Sequence, residues 1–250
     1  MDKKKLTAII LCGGLGSRLS SITNNEIPKP MIEVAGRPFL EYVLNYLVRQ
    51  GVTKVTLAVS YKKELIMEHF GNNYKGLNIR YSIEETPLGT GGAIKHAISV
   101  SMLDDSDYFL VLNGDSYLSY PLKRMLDMFD DNGADLVIAL KNVDDTGRYG
   151  RVSFNLDNKI KSFEEKKNGL PGQINAGVYL LSKKTIGLLP ELSSFSFEKD
   201  FLEEKLPLKS FSAFATLVDS YFIDIGIPED YLKANQDFQM KQEQGLTSDD

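Results

Sequence analysis

The sequence has a single cysteine, Cys12, so it forms no intramolecular disulfide and offers no thiolate cluster to a metal. That fits a reducing cytoplasm. An excess of basic charge is also missing: 29 Lys and Arg stand against 34 Asp and Glu, for a net charge of −5. This argues against a broad nucleic-acid or membrane-binding surface, which needs clustered cations. Long hydrophobic runs are absent too. The first, Leu6 to Cys12, falls far short of the roughly 20 residues that span a bilayer. MDKKK makes a basic start, but the GGLGSR after the apolar run is no signal-peptide cleavage site. The expectation is a soluble, cytoplasmic protein with neither nucleic acid nor membrane as partner.

What is present is a chain of 250 residues, 42% of them apolar, enough for the core of one α/β domain. Four runs, TAIILC, VTLAVS, YFLVLN and DLVIAL, are apolar at consecutive positions, as strands buried on both faces are. They predict a central parallel sheet. Between them Leu40, Val43, Leu44 and Leu47 share a helical face, as do Leu122, Met125, Leu126 and Phe129. This alternation specifies a doubly wound, Rossmann-like sheet, whose ligands bind beyond the carboxyl ends of the strands.

After about Lys141 the texture changes to RVSFNL, IKSFEE and INAGVYLL, shorter pieces that predict added antiparallel strands, hence a mixed sheet with a small lobe. Late helices are expected near Phe197 to Leu206 and from Pro228 to about Gln242, the second with proline suited to its first turn. No Pro-rich or Ser-rich linker and no repeat divides the chain. The reading is one domain over residues 1–242, then a polar tail over 243–250 that lacks helical periodicity and should fray. Apolar positions on the last helix fit either core or a homo-oligomer contact, so self-association stays open.

The stretch GGLGSRL directly follows the first apolar run. Glycines there let backbone N–H groups approach phosphate oxygens, and Ser17 adds a hydroxyl. The standard templates fail: Gly14-Leu15-Gly16-Ser17-Arg18-Leu19 lacks the third glycine of a dinucleotide fingerprint, and no Lys-Ser/Thr pair follows as a P-loop requires. Taken alone, the glycines fit a flexible turn equally well. Arg18 and Lys29 change the balance. Pro30 should push Lys29 toward extended backbone, and Pro28 and Pro30 each fix their own φ, so the lysine sits on a stiffened segment. Two cations beside an amide-rich loop match a triphosphate, whose in-line substitution is catalysed mainly by positioning and charge neutralisation.

Two carboxylates complete the set. Asp115 in YFLVLNGDS ends a buried strand, with Asn113 and Gly114 leaving room for a ligand, and Asp224 in YFIDIG ends another apolar run. Hard oxygen ligands from separate strands suit Mg²⁺, although Asp115 alone would serve equally as a helix cap. Asp105-Ser106-Asp107 precedes its strand instead of following it, which is the wrong context for a metal site, and it reads as a solvated loop. EETPLGTGGAIKHA joins a rigid turn to a glycine-rich approach to a helix. A carboxylate only accepts hydrogen bonds, so Glu84 or Glu85 would suit the N1–H and amino group of guanine. Gly89 would let backbone approach the base, whereas Thr90, Gly91 and Gly92 fit a tight turn as well.

GGLGSRL and PKPM, followed in order by ETPLGTGGA, LVLNGD, RYGRV, FEEK, INAGVYL and FIDIGIPEDY, make the chain resemble the sugar-nucleotide pyrophosphorylases over nearly its whole length. These are sugar-1-phosphate nucleotidyltransferases with a GT-A-like fold. The likeness is greatest to the guanylyltransferases of D-glycero-α-D-manno-heptose 1-phosphate and mannose 1-phosphate. It implies a nucleoside triphosphate, GTP favoured, and a sugar 1-phosphate as substrates, with Mg²⁺ as cofactor.

By the same resemblance, Arg18, Lys29 and Asp115 are catalytic, and Asp115 and Asp224 hold the metal. Cys12, Gly13, Gly14, Gly16, Ser17, Glu84, Glu85, Gly89, Thr90, Asn113 and Gly114 fall on the nucleotide side. Tyr149, Gly150, Glu165, Lys166, Asn175 and Gly177 fall on the sugar-phosphate side, although EEKK by itself would be a charged surface patch. His69 and His96 match no motif and read as ordinary helix residues. The alternatives are transfer to mannose 1-phosphate, uridylyl or thymidylyl transfer to another sugar phosphate, or a catalytically silent binding subunit.

Overall fold

The computed structural model of the chain describes residues 5–14, 16–101, 106–164 and 169–245. Asp105, Glu165, Lys166 and the last five residues of the expected tail lie outside them. The four apolar runs are strands, and their residues divide by alternation between the two faces of one sheet. Ala8, Ile10, Leu110 and Leu112 enter one core, while Ile9, Phe109 and Val111 enter the other.

In chain order the strands are β1 (Leu6–Leu11), β2 (Glu33–Val34), β3 (Arg37–Pro38), β4 (Lys54–Val59), β5 (Asn73–Tyr74), β6 (Leu77–Ile83) and β7 (Tyr108–Asn113). They continue with β8 (Ser116–Leu118), β9 (Leu136–Val143), β10 (Arg151–Phe154), β11 (Ile160–Glu164), β12 (Gly172–Ser182), β13 (Ala213–Leu217) and β14 (Phe222–Asp224). β6, β4, β1 and β7 lie side by side and parallel. The chain passes from β1 to β4 on one side and later returns to β7 on the other. The crevice at this reversal, beyond Leu11 and Asn113, is where a doubly wound sheet receives its ligand.

All four runs point the same way, as expected, but β9, the DLVIAL run, stands apart from the other three. It does not neighbour β7. The long strand β12 lies between them, antiparallel to both, and β13 then pairs parallel with β9. The sheet also branches: β7 pairs with residues 178–182 of β12, while β10 meets the same edge at Ile174 and carries β11 outward. Between the two lies a register irregularity from Asn175 to Tyr179, with Gly177 at φ 73°. The antiparallel lobe is therefore an extension of the main sheet, and the fork at its base is a cavity.

Helices cover both faces. Phe39–Arg49, Leu122–Asn132 and Pro228–Glu243 bury Leu40, Leu47, Met125, Phe129 and Phe238 on one side. Gly89–Ser101 and the π-turn Phe197–Leu202 bury Ile94, Ile98, Phe197 and Phe201 on the other. The last helix ends at Glu243, one residue into the stretch expected to fray. No helix among the described residues is long and apolar enough to cross a membrane.

Candidate active site

The glycine loop leaves β1 at the sheet's carboxyl edge, and one of its glycines is demanded by geometry. Gly16 has φ 62°, and a Cβ there would lie 3.1 Å from Lys29 Cβ. A left-handed residue without a side chain thus lets the proline-flanked lysine pack against the loop. Lys29 differs from expectation in its backbone. Pro28 is extended, but Lys29 opens a 3₁₀ turn, closed by Met31 N–H to Pro28 O at 2.8 Å and Ile32 N–H to Lys29 O at 3.2 Å. Those two bonds outweigh the pre-proline preference for extended backbone.

The turn aims the lysine at the carboxylates. Lys29 Nζ is ion-paired with Asp115 and lies 3.8 Å from Asp224 Oδ1, with the lysine only 9% exposed. Antiparallel pairing of β8 with β14 sets Asp224 opposite Ser116, beside Asp115. Asp224 Oδ1 also accepts from Gly226 N–H at 2.6 Å. Burial, and next the charge of Asp115, raise the Asp224 carboxyl from 3.8 to about 6, while Lys29 pulls the other way. The donors are two carboxylates from separate strand ends, and a cation already stands between them. No cluster of three or more acids, histidines or cysteines joins them among the described residues. Such a set fits a hard divalent ion that keeps other positions for water and phosphate oxygens.

Two cavities meet here. One, of about 440 Å³, is lined by Gly13, Gly14, Glu84, Gly89, Thr90, Asn113 and Asp115, joined by Leu11, Ser60, Pro87 and Ala93. Glu84 is only 8% exposed, and Leu88 N–H donates to its Oε2 at 3.3 Å. A Cβ on Gly13 would lie 3.0 Å from its other oxygen, so the glycine makes room for that carboxylate. Burial raises the Glu84 carboxyl above its ordinary value, against the N–H of Leu88 and the charge of His96. Glu84 thus lines this cavity, whereas Glu85 lies on the surface, 3.2 Å from Lys63 Nζ.

The second cavity, about 420 Å³, occupies the fork of the sheet. Arg18, Tyr149, Gly150, Asn175, Gly177 and Asp224 line it, and Thr90 and Asn113 belong to both cavities. Gly150 and Gly177 are necessary there. A Cβ on Gly150 would meet the Phe163 ring at 2.4 Å, and one on Gly177 would meet Asn113 Nδ2 at 2.5 Å. Tyr149 packs edge-on to Phe222, with ring centroids 6.0 Å apart, and its phenol is pushed up to about 12, first by burial and then by Asp224. It stays protonated, an amphipathic wall suited to a sugar ring.

Several predicted residues stand elsewhere. Cys12 is buried beneath the loop, its thiol pushed far up by burial and by Asp115 and Glu84, and it lines neither cavity. Gly114 allows close approach to Leu11 O, which a Cβ would meet at 2.6 Å, while Ser17 is exposed on its 3₁₀ turn. Gly91 and Gly92 make room for the segment 193–195: added Cβ atoms would lie 2.1 Å from the Phe195 ring and 2.3 Å from Ser193 O. A Cβ on Gly89 would likewise lie 2.6 Å from Phe195 O, so this glycine answers to that segment besides lining the first cavity. Asp107 is exposed, as expected of the solvated acids, while Ser106 beside it is buried, its hydroxyl 2.6 Å from Thr7 Oγ1. His69 contacts Glu41, and His96 contacts Ser82, both on the helices expected.

Other cavity residues carry no obvious sequence signal. Arg148 ion-pairs with Asp230 at 2.6 Å and lies over the Tyr149 ring. Its place beside Tyr149 in RYG was the one available hint. Tyr179, Ser196, Glu198 and Phe222 line the fork cavity from three separate segments.

A nucleotidyl transferase family model matches residues 7–241. D-glycero-α-D-manno-heptose 1-phosphate guanylyltransferase of Aneurinibacillus thermoaerophilus is 43% identical over 94% of this chain and 99% of its own length. The enzyme of that name from Campylobacter jejuni is 45% identical over 90% of this chain and 97% of its own. The crystal structure of HddC from Yersinia pseudotuberculosis complexed with GMP-PN superposes with a TM-score of 0.79 at 40% identity, covering 93% of this chain and 99% of that one.

Proposed function

Because the chain belongs to the nucleotidyl transferase family, we propose that it transfers the guanylyl group of GTP to a sugar 1-phosphate, with D-glycero-α-D-manno-heptose 1-phosphate as the favoured acceptor. The observation that carries this reading is the meeting of two cavities at Thr90 and Asn113, one lined by Asp115 and the other by Asp224, with Lys29 ion-paired between these acids. The first is lined by loop glycines and the buried carboxylate of Glu84, which accepts from the N1–H and amino group of guanine. The second presents Tyr149 and Asn175 to a sugar. The relatives named for the heptose phosphate, and the GMP-PN held by the Yersinia protein, support the choice of substrates.

An oxygen of the sugar phosphate attacks the α-phosphorus of GTP as the bond from that phosphorus to the bridging oxygen breaks. The products are a GDP-sugar, a precursor for surface polysaccharide, and pyrophosphate. The attacking oxygen is already anionic, so no general base and no covalent enzyme intermediate is required. Lys29 and Arg18 offset the negative charge of the triphosphate and of the departing pyrophosphate. Thr90 and Asn113 stand where the two substrates touch, and Gly177 keeps Asn113 in that place. Mg²⁺ held by Asp115 and Asp224 would supply charge neutralisation and polarise the phosphoryl oxygens. Nucleotide substrates and the lone buried thiol support action in the cytoplasm.

The test supplies GTP, UTP, dTTP and ATP with manno-heptose 1-phosphate, mannose 1-phosphate and glucose 1-phosphate in the presence of Mg²⁺. Pyrophosphate is measured and the sugar nucleotide identified by mass. Highest turnover is expected for GTP with the heptose phosphate, and absence of turnover with every pair would refute the enzymatic reading.

A further inference from the structure

In the fork cavity three hydroxyls converge on one carboxylate. Glu198 Oε2 accepts from Thr90 Oγ1 at 2.6 Å and from Ser196 Oγ at 3.2 Å, while Oε1 accepts from Tyr179 OH at 2.9 Å. The direction of each bond follows from a second contact. Thr90 Oγ1 accepts from Phe197 N–H at 2.9 Å, Ser196 Oγ from Lys199 N–H at 3.1 Å, and Tyr179 OH from Asn175 Nδ2 at 2.6 Å. Each hydroxyl therefore has its proton to give to Glu198. At the far end Asn175 Oδ1 accepts from Gly177 N–H at 3.0 Å, which fixes which way the amide faces.

The count leaves a definite remainder. A carboxylate has about four acceptor positions; among the described residues three are filled, which leaves one on Oε1. Asn175 has one amide hydrogen committed to Tyr179 and a second to offer. Glu198 and Asn175 both line the cavity, so they present one acceptor and one donor to whatever enters it. A sugar hydroxyl both donates and accepts. Glu198 sits on the π-turn Phe197–Leu202, and single π-turns recur at functional sites.

We propose that Glu198 selects the sugar, its open Oε1 position accepting a ring hydroxyl proton of the sugar 1-phosphate while Tyr179 positions Asn175 beside it. The proposal rests on the reading of this cavity as the sugar 1-phosphate site. Thr90, which also lines the nucleotide cavity, ties the selecting carboxylate to the place where the two substrates meet. A substrate lacking the one hydroxyl that Glu198 reads leaves the carboxylate without its last donor, whereas loss of any other hydroxyl does not.

The experiment compares full-length wild type, Glu198→Gln and Tyr179→Phe with GTP and a series of 2-, 3- and 4-deoxy analogues of mannose 1-phosphate beside the parent sugar. Wild type should lose roughly ten- to a hundredfold in kcat/KM on one deoxy position. Glu198→Gln should raise KM for the parent sugar phosphate by about the same factor and become blind to that one deletion, with KM for GTP held within about twofold. Tyr179→Phe should show a smaller rise and keep the discrimination. Equal losses on all analogues, parallel rises in both KM values, or discrimination retained by Glu198→Gln would each overturn the assignment. If Glu198→Gln fails to fold, the wild-type series and Tyr179→Phe decide, since a wild type that penalises no single position refutes it. If wild type turns over none of these sugars, calorimetric binding of the same phosphates makes the same comparison, separating failure of the reaction from failure of Glu198 as the selecting residue.

Discussion

Lys29 Nζ is paired with Asp115 and lies 3.8 Å from Asp224, so one lysine joins two acids that are 109 residues apart in the chain. It rests against a glycine loop in which Gly16 takes a left-handed conformation. The ammonium offsets the repulsion of the acids, one of which lines each of the two cavities. Lys29→Met is expected to lower kcat by about 10²–10³-fold. A variant retaining more than a tenth of the wild-type rate in a pyrophosphate-release assay would remove the lysine from the reaction.

Gly16→Ala should displace that lysine without touching its charge. The added methyl meets Lys29 Cβ at 3.1 Å, and alanine in the left-handed region costs about 1–2 kcal/mol. Thermal unfolding should register the loss, and turnover should fall with it. An alanine variant as stable as wild type would mean that the loop readjusts freely.

The Asp224 carboxyl gives a pH signature. Its folded value of about 6 exceeds the ordinary 3.8, with burial the largest cause and the charge of Asp115 next. Between those values the folded chain holds a proton that the unfolded chain has released, so this group's contribution to stability falls as pH rises from about 4 to about 6 and stays low above. Without divalent cations, the melting temperature of wild type minus that of Asp224→Asn should decline across this window. A difference that is constant or rises with pH contradicts the assignment.

Divalent metal should be obligatory. Chelation with EDTA is expected to stop pyrophosphate release and Mg²⁺ to restore it, while Asp115→Asn should lower turnover by about 10²-fold or more even at saturating Mg²⁺. Full activity in EDTA would leave Asp115 and Asp224 as partners of Lys29 alone.

On the proposed function, base choice falls to Glu84 and not to its neighbour. Glu84→Gln replaces an acceptor-only group with one that also donates, and the kcat/KM ratio of GTP to UTP should fall by about tenfold or more. Glu85→Gln alters a surface contact to Lys63 and should leave that ratio unchanged. The reverse pattern would exchange the two roles.

Much of this was legible in one dimension because it obeys local rules. Runs such as YFLVLN are apolar at successive positions because both faces of their strand are covered, and a strand end followed by glycine and aspartate marks a ligand edge. The helix faces at Leu40 and Met125 followed from their 3.6-residue spacing. Local rules failed where long-range pairing took over. Nothing in DLVIAL says that β12 will lie between it and β7, and the extended backbone expected of Lys29 gave way to a 3₁₀ turn. Glu198 was invisible because its three hydroxyl partners come from distant or neighbouring segments that converge only on folding.

The sequence by itself determined the alternation of strand and helix, the glycine loop, the cations and acids expected of a nucleotidyl-transfer site, and the family that shares their order. Burial patterns and backbone conformations are written in neighbouring residues, so these features need no knowledge of distant ones. Only the tertiary structure decided that Glu84 lines the first cavity while Glu85 faces away, that the sheet forks at Asn175 to Tyr179 into the second, and that Lys29 stands between Asp115 and Asp224. Each depends on which strand edge pairs with which, a choice set by the packing of the whole chain.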